Sequence, residues 1–230
     1  MLLIDDVAQI TIRGKYTHEG NTKLGDGVTV INRAAGPIDQ NGTCYPSKWC
    51  ENCYAMHGFF RRFRLQEKYQ DGILKLPEDV CEYCRIHVSG DMDTVIYIQM
   101  LIAWVNRHPD TYFWGYTRSW TQPDLLPHLE ELRSLPNIQL FGSTDPTMSL
   151  PPEGWRIAGI NLPEETRVKG LVCPYERCKN SCPRDCTGNT KKNAKRGLPP
   201  HERMLPDCKT CGYCILKTRG NVLFNTHSTS

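Results

Sequence analysis

The sequence lacks any apolar run that could cross a membrane. Its longest strongly apolar stretch, residues 95–105, contains Gln99 and is about half the length of the ~20 residues that a membrane span needs. We interpret this stretch as a buried helix. Residues 1–6 also lack the basic segment and the long apolar region of a secretory signal. Both observations predict a cytoplasmic protein with no membrane partner.

A strong excess of charge of either sign is also lacking. The chain has 28 Lys and Arg against 25 Asp and Glu, which gives a formal net charge of +3. This charge is too small to predict nucleic-acid binding by itself. Local basic runs at residues 61–64 and 191–196 could contact phosphates, although solvated surface is the default interpretation of such runs.

No internal repeat divides the chain. Its 230 residues, 39% of them hydrophobic and 23% charged, are sufficient for one sizeable core with a small appended module. We therefore predict two regions. Residues 1–172 form an α/β core with an N-terminal extension, and residues 173–230 form a cysteine-rich region that ends in a final strand.

Strand and helix patterns alternate through the middle of the chain. The predicted strands are 7–12, 27–32, 85–91, 111–117, 137–142, 155–160 and 221–225, and the predicted helices are 54–76, 94–106 and 123–135. This alternation predicts a parallel sheet with crossover helices. Since about six such strands can close partly into a barrel, we predict a partial (β/α)6-type parallel barrel with a metal-organised C-terminal excursion.

Cysteine is abundant, with twelve residues in the chain. Reducing compartments disfavour disulfides, so this number predicts metal ligation or catalysis. Cys44, Cys50 and Cys53 form a C-x5-C-x2-C loop between a predicted strand and a predicted helix. Three thiolates can bind three irons of a four-iron, four-sulfide cluster and leave one iron open. A zinc site also uses short C-x2-C pairs and is the alternative.

The later cysteines predict further metal sites. Cys208, Cys211 and Cys214 have the compact spacing of ferredoxin-type loops, and Cys173 could complete a four-cysteine auxiliary cluster. The other cysteines, which could form a third site, are Cys81, Cys84, Cys178, Cys182 and Cys186. A zinc ribbon that uses Cys81 and Cys84 stays open. We therefore expect two or more [4Fe-4S] clusters, with zinc as the alternative at one site.

The first cysteine loop ends in Cys-Glu-Asn-Cys-Tyr-Ala at residues 50–55. It resembles the loop of the radical S-adenosylmethionine superfamily, whose usual spacing is C-x3-C-x2-C. It is closer still to phage and bacterial proteins, known by phage gene-product labels, whose loop ends in Cys-x-x-Cys-Tyr-Ala. The resemblance extends to residues 21–25, 85–91, 113–118 and 208–214. It implies S-adenosylmethionine at the open iron and an external electron donor.

The resemblance also implies that neighbouring strand ends complete the cofactor site. The predicted cofactor-binding residues are Tyr54, Ser89, Gly90, Asp91, Tyr116, Arg118, Ser143 and Asp145. Asp91 could receive the methionyl ammonium group, and Arg118 could pair with a carboxylate. Turn and helix-cap signals use the same residue types, so both interpretations stay open. We interpret His87 as a hydrogen-bonded core histidine.

The leading hypothesis is a radical S-adenosylmethionine enzyme that makes a 5′-deoxyadenosyl radical and abstracts hydrogen from a substrate. Nucleic acid, a nucleotide or a host protein is the substrate class that the resemblance and the basic runs suggest, and a phage-encoded protein would act in the host cytoplasm. The alternative is a non-catalytic iron-sulfur or zinc protein that contacts nucleic acid or a protein partner. Two features keep it open: the five-residue first gap, and the absence of the superfamily's glycine-glycine-glutamate motif.

Overall fold

The structure is a computed structural model that describes residues 15–17, 23–53, 55, 76–174, 207–216 and 220–224. Its strands are β1 Lys15–Thr17, β2 Val28–Asn32, β3 Tyr83–Ile86, β4 Tyr112–Thr117, β5 Ile138–Thr144, β6 Arg156–Ile160, β7 Gly170–Val172 and β8 Asn221–Phe224. The α-helices in these ranges are α1 Val95–Arg107, α2 Leu126–Ser134 and α3 Cys208–Cys211. Short 3-10 helices span Ile38–Gln40, Lys48–Asn52, Ser119–Thr121 and Glu164–Thr166.

All of these strands belong to one sheet, in the order β1-β2-β3-β4-β5-β6-β8-β7. β1 pairs antiparallel with β2, and every other pairing is parallel. The predicted α/β class with a parallel sheet is therefore confirmed. The final strand, β8, lies between β6 and β7, so residues on both sides of position 173 build the same sheet.

The observed elements differ from the sequence prediction mainly where segments are short. β1 and β7 have three residues each, too few to show an alternating pattern. β3 ends at Ile86 because the next residue, His87, has a φ of 58°, which extended strands do not adopt. The predicted strand 7–12 and nearly all of the predicted helix 54–76 lie outside the described residues.

Helix α1 covers one face of the sheet. Thr94 caps its first turn, because the Thr94 hydroxyl accepts a hydrogen bond from the Tyr97 N–H at 3.3 Å. The buried face of α1 includes Leu101 and Trp104, which pack in one cluster with α2 and with inward residues of the strands. The Trp104 indole donates to the Pro77 carbonyl at 2.8 Å, which satisfies its buried N–H.

The opposite face of the sheet carries a second set of apolar side chains. Along β4, Phe113 belongs to the helix-side cluster, whereas Trp114 packs with Val28, Val30 and Ile215. This alternation is the two-residue period of a strand. Residues 207–216 cover this second face, because Ile215 is buried there and the Cys208 N–H donates to the Lys23 carbonyl at 2.8 Å.

Among the described helices, none is long and apolar enough to cross a membrane.

The helix-side core should dominate the free energy of unfolding. Leu101 on α1 is completely buried, whereas Ile96 on the same helix is 40% exposed. Replacing Leu101 by Ala should lower the free energy of unfolding by about 2–5 kcal/mol, because it removes buried methyl groups and leaves a cavity. Replacing Ile96 by Ala should change it by about 0.5 kcal/mol or less. Urea unfolding followed by circular dichroism measures both, and equal losses would contradict this packing.

Candidate metal centres

The loop that carries Cys44, Cys50 and Cys53 begins directly after β2. Its first part is tight, because a Cβ on Gly42 would lie 1.9 Å from the Gly36 carbonyl oxygen. The Cys44 N–H donates to that same carbonyl at 2.9 Å. Ser47 then caps the short helix Lys48–Asn52, and its backbone N–H donates to the Cys50 sulfur at 3.3 Å. The backbone itself therefore orients Cys50.

Arg118 joins the loop to the end of the sheet. Its Nη1 lies 3.0 Å from the Cys50 sulfur and 2.7 Å from the Ser47 hydroxyl. Its Nη2 forms an ion pair with Asp145 at 3.0 Å, and Ser47 also donates to Asp145. Arg118 follows β4 and Asp145 follows β5, so one network ties two strand ends to the cysteine loop. We call these four residues, Ser47, Cys50, Arg118 and Asp145, the arginine network.

Asp145 is ionised in this network. Burial opposes its ionisation, but hydrogen bonds from Ser47 and Thr147 and the charge of Arg118 outweigh that effect, so the pKa lies below its ordinary value. The Thr147 N–H and hydroxyl donate to the second carboxylate oxygen at 2.9 and 2.7 Å. These bonds to a residue two positions on form an Asx-type turn. The turn interpretation therefore holds for Asp145, and its contact with a cofactor stays a prediction.

Asp91 connects the end of β4 to the cysteine loop through hydrogen bonds. Its carboxylate accepts hydrogen bonds from the Thr117 hydroxyl at 2.6 Å, the Arg118 N–H at 2.8 Å and the Met92 N–H at 2.8 Å. Its own N–H donates to Thr43 in the cysteine loop at 2.8 Å. Burial raises the pKa of Asp91, although these hydrogen bonds oppose the shift. The side chain therefore fixes the position of Arg118.

The three thiols of the loop lie close enough for their charges to interact. Burial raises the pKa of Cys44 to about 12, and the charges of Asp91, Cys53 and Cys50 contribute to the rise. Without a metal, Cys44 is a neutral thiol at pH 7. A metal that bound here would replace this proton, so its affinity would depend on pH.

The other predicted cofactor residues fall into different surroundings. The Ser89 hydroxyl donates to the Arg33 carbonyl at 3.1 Å, and a Cβ on Gly90 would lie 2.7 Å from the Arg33 backbone. Gly90, with a φ of 81°, therefore lets two loops pack closely. The Ser143 carbonyl accepts from the Trp120 indole at 3.0 Å. Tyr54 lies outside the described residues.

Tyr116 is not part of the arginine network. It points to the opposite face from Thr117 and lines a pocket with four cysteines, which are Cys173, Cys208, Cys211 and Cys214. The pocket contains about 420 Å³ of space, including its open mouth. The structure thus brings together the four thiols that sequence spacing had suggested as one set. We call this the four-cysteine pocket.

Cys81 and Cys84 lie elsewhere. The Cys81 N–H donates to the Thr29 hydroxyl at 2.9 Å beside the start of β3, and Cys84 is completely buried in the helix-side core. Cys178, Cys182 and Cys186 lie outside the described residues. Within the described ranges, no three His, Cys, Asp or Glu side chains converge closely enough to hold a single metal ion.

The family model described as gene product 88 matches residues 67–215. The chain belongs to the gene product 88 family. The match includes Arg118, Asp145 and the four-cysteine pocket, whereas the loop from Cys44 to Cys53 precedes it. No curated protein and no solved structure matches the chain.

Sequence reasoning missed two important residues of this gene product 88 protein. Ser47 contacts Cys50, Arg118 and Asp145, and its position three residues before Cys50 is the spacing of a helix cap. That spacing could have pointed to it. Arg85 lies 3.9 Å from the ring centroid of Tyr116 on the pocket side of the sheet. An arginine in a strand gives no such signal, since its contact depends on the neighbouring strand.

The structure confirms the interpretation of His87 as a hydrogen-bonded core histidine. It is buried, and its Nε2 lies 2.7 Å from the Tyr97 hydroxyl. Burial lowers its pKa well below 6.5, and the charges of Arg33 and Arg85 act in the same direction. The folded protein therefore keeps His87 neutral where an unfolded chain would bind a proton.

This difference makes the stability of the gene product 88 protein depend on pH. An unfolded chain takes up a proton on His87 below pH 6.5 and the folded protein does not, so stability falls as the pH falls. Between about pH 6.5 and about pH 5.5, the wild type should lose about 1 kcal/mol more than a His87→Asn variant. Asn tolerates the positive φ. Urea unfolding at several pH values checks this, and parallel pH profiles would contradict it.

Proposed function

We propose that this protein is an iron-sulfur enzyme of the radical S-adenosylmethionine type, with its catalytic cluster held by Cys44, Cys50 and Cys53. One observation carries the proposal. Three thiols lie on one loop, and Arg118 and Asp145 fasten that loop to the carboxyl ends of parallel strands. In parallel α/β folds, those ends are where active sites form.

The donors around Cys50 fit a cluster ligand. The Cys50 sulfur receives hydrogen bonds from the Ser47 N–H and from Arg118, and donors of this kind stabilise a ligating thiolate. Three thiolates leave one iron of a [4Fe-4S] cluster open. The chemistry that such a cluster supplies when bound is one-electron reduction of S-adenosylmethionine by an external donor, which gives methionine and a 5′-deoxyadenosyl radical.

The two acids of the site have positioning roles in this proposal. Asp91 and Asp145 each accept three or more hydrogen bonds or ion contacts from protein donors. Asp91 fixes the backbone of Arg118, and Asp145 fixes its guanidinium group. Arg118 is then the charged group that contacts the Cys50 sulfur, while Tyr54, Ser89, Gly90 and Ser143 stay proposed contacts of the cofactor.

We extend the proposal to the shape of the sheet, as a partial (β/α)6-type barrel. The order from β2 to β6 follows the sequence, and α1 and α2 pack in a single cluster with one face of the strands. Doubly wound sheets instead reverse their strand order and carry helices on both faces. The other face here holds aromatic, arginine and cysteine side chains.

The family match supports the proposed setting of the protein and does not name a substrate. Gene product 88 is a family of phage type, which supports a phage-encoded protein acting in the host cytoplasm. A nucleic acid or a nucleotide stays the proposed substrate class. The two basic runs that suggested it, residues 61–64 and 191–196, lie outside the described residues.

Replacing Cys50 by Ser tests the proposed activity directly. Anaerobically reconstituted protein, given dithionite and S-adenosylmethionine, should form 5′-deoxyadenosine, and the variant should form none because it loses a cluster ligand. Cys81→Ser is the matched control and should behave as wild type. Nucleoside formation by the Cys50 variant would contradict the ligand assignment. Zinc without sulfide in the wild type would instead support a structural metal protein that binds nucleic acid or a partner.

Arg118 provides a second test. The Arg118→Gln variant should keep its iron but lose nucleoside formation by roughly tenfold or more, because it removes a hydrogen bond to the ligand sulfur. The reduction potential of the first cluster should also become more negative. Arg133→Gln removes an ion pair to Glu130 on α2 and serves as control. Equal activity and potential in both variants would show that Arg118 does not act on the cluster.

A further inference from the structure

The four-cysteine pocket is built from two segments that are far apart in the sequence. Cys173 directly follows β7, and its N–H donates to the Leu223 carbonyl of β8 at 2.9 Å. The other three thiols lie on residues 208–214, whose start is fixed by the hydrogen bond from the Cys208 N–H to the Lys23 carbonyl at 2.8 Å. Backbone pairing therefore brings the four thiols together independently of any metal.

The local geometry of residues 207–214 turns three thiols towards one space. Asp207 caps the single turn of α3, because its carboxylate accepts from the Thr210 N–H at 2.7 Å. Cys208 and Cys211 are three residues apart on this turn and so share a side of it. Gly212, with a φ of 66°, then reverses the chain so that Cys214 faces the same pocket.

Three cationic side chains lie at or beside the pocket, whose lining also includes Asp207. Lys23 lines it, Arg85 lies over the Tyr116 ring, and Arg156 lies 5.5 Å from the Tyr213 ring centroid and donates to the Tyr213 carbonyl at 3.1 Å. Four thiolates outnumber the positive charge of the metal that they bind, so the assembly is anionic. Buried or half-buried arginines and a lysine are the groups that would balance this charge.

Hydrogen-bond donors also surround the thiols. Tyr116 lines the pocket beside Cys214, and its phenolic hydroxyl hydrogen-bonds the Cys214 sulfur. Trp114 belongs to the apolar cluster against which Cys208 and Cys214 pack. Within the described residues, its buried indole N–H has no hydrogen-bond partner. Cluster sulfides would add acceptors to this region, whereas a zinc ion would add none.

The arrangement of the thiols fits a cluster. In a [4Fe-4S] cluster each thiolate binds its own iron, so four thiols line a space that the cluster fills. A zinc ion instead draws four sulfurs to about 2.3 Å from a single point. Here the four thiols line one open pocket, and among these described residues no three thiols converge on a single point where one metal ion would bind.

We infer that Cys173, Cys208, Cys211 and Cys214 bind a second iron-sulfur cluster, and that the Tyr116 hydroxyl is a hydrogen-bond donor to its Cys214 ligand. This site is separate from the cysteine loop of the proposed activity and does not depend on it. Four protein ligands leave no iron open, so this cluster serves electron transfer or structure.

The test uses full-length protein in which Cys44, Cys50 and Cys53 are all replaced by Ala. After anaerobic reconstitution with iron and sulfide, this variant should retain about four iron and four sulfide ions per chain and a paramagnetic signal on reduction. Further replacement of the four pocket cysteines by Ala should remove the iron and the signal. Further replacement of Cys81 alone should leave both unchanged. Nucleoside formation is not a readout, so failure of the proposed activity is a separate result.

Two results would overturn the inference. One is a single zinc ion without sulfide in the first variant, which would make the pocket a zinc site. The other is iron and signal that persist after the pocket cysteines are replaced. If the variant with several cysteines replaced does not fold, the single Tyr116→Phe variant still tests the inference. It should leave the iron content unchanged and shift the reduction potential to a more negative value, and an unchanged potential would contradict a cluster on Cys214.

Discussion

The contact of Arg118 with Cys50 and Asp145 is the interaction on which the proposed active site depends. A guanidinium group has several donors in one plane, so it can hold a thiol, a hydroxyl and a carboxylate at once. Here it connects a loop after β2 to the ends of β4 and β5. The pair is nearly out of solvent, with side-chain exposure of 14% for Arg118 and 0% for Asp145. Loss of either partner would leave the other as an uncompensated buried charge.

Strand β4 serves both cysteine groups because successive residues point to opposite faces. The Thr117 hydroxyl and the Arg118 N–H both donate hydrogen bonds to Asp91. Arg118, the next residue along the chain, belongs to the arginine network. Tyr116 points the other way, to the four-cysteine pocket. A shift of β4 by one residue would exchange these faces and break both sites. The register Thr117↔Gly142 and Gly115↔Leu140 with β5 therefore helps to position both cysteine groups.

Much of the fold could be predicted from the sequence because its signals are local. The periodic apolar residues of 95–105 identify α1, and the alternation of strands and helices identifies a parallel sheet. The spacing of the cysteines in the sequence also suggested that Cys173 lies with Cys208, Cys211 and Cys214, as the pocket shows. The sequence prediction assigned Tyr116 and Arg118 to the same site, whereas the structure separates them. Tyr116 lies within β4 and points to one face of the sheet, while Arg118 lies just past the end of the strand. This difference depends on where β4 ends, which the sequence pattern did not fix.

By itself, the sequence determined which residues can ligate metal and which of the longer segments become strands and helices, since thiol chemistry and hydrophobic period belong to short stretches of chain. Only the tertiary structure decided which of those residues meet. Ser47, Arg118 and Asp145 come from three separate segments, and Cys173 meets Cys214 across more than thirty residues. The reason is that such contacts depend on strand order and register, and these are fixed by pairing between distant parts of the chain.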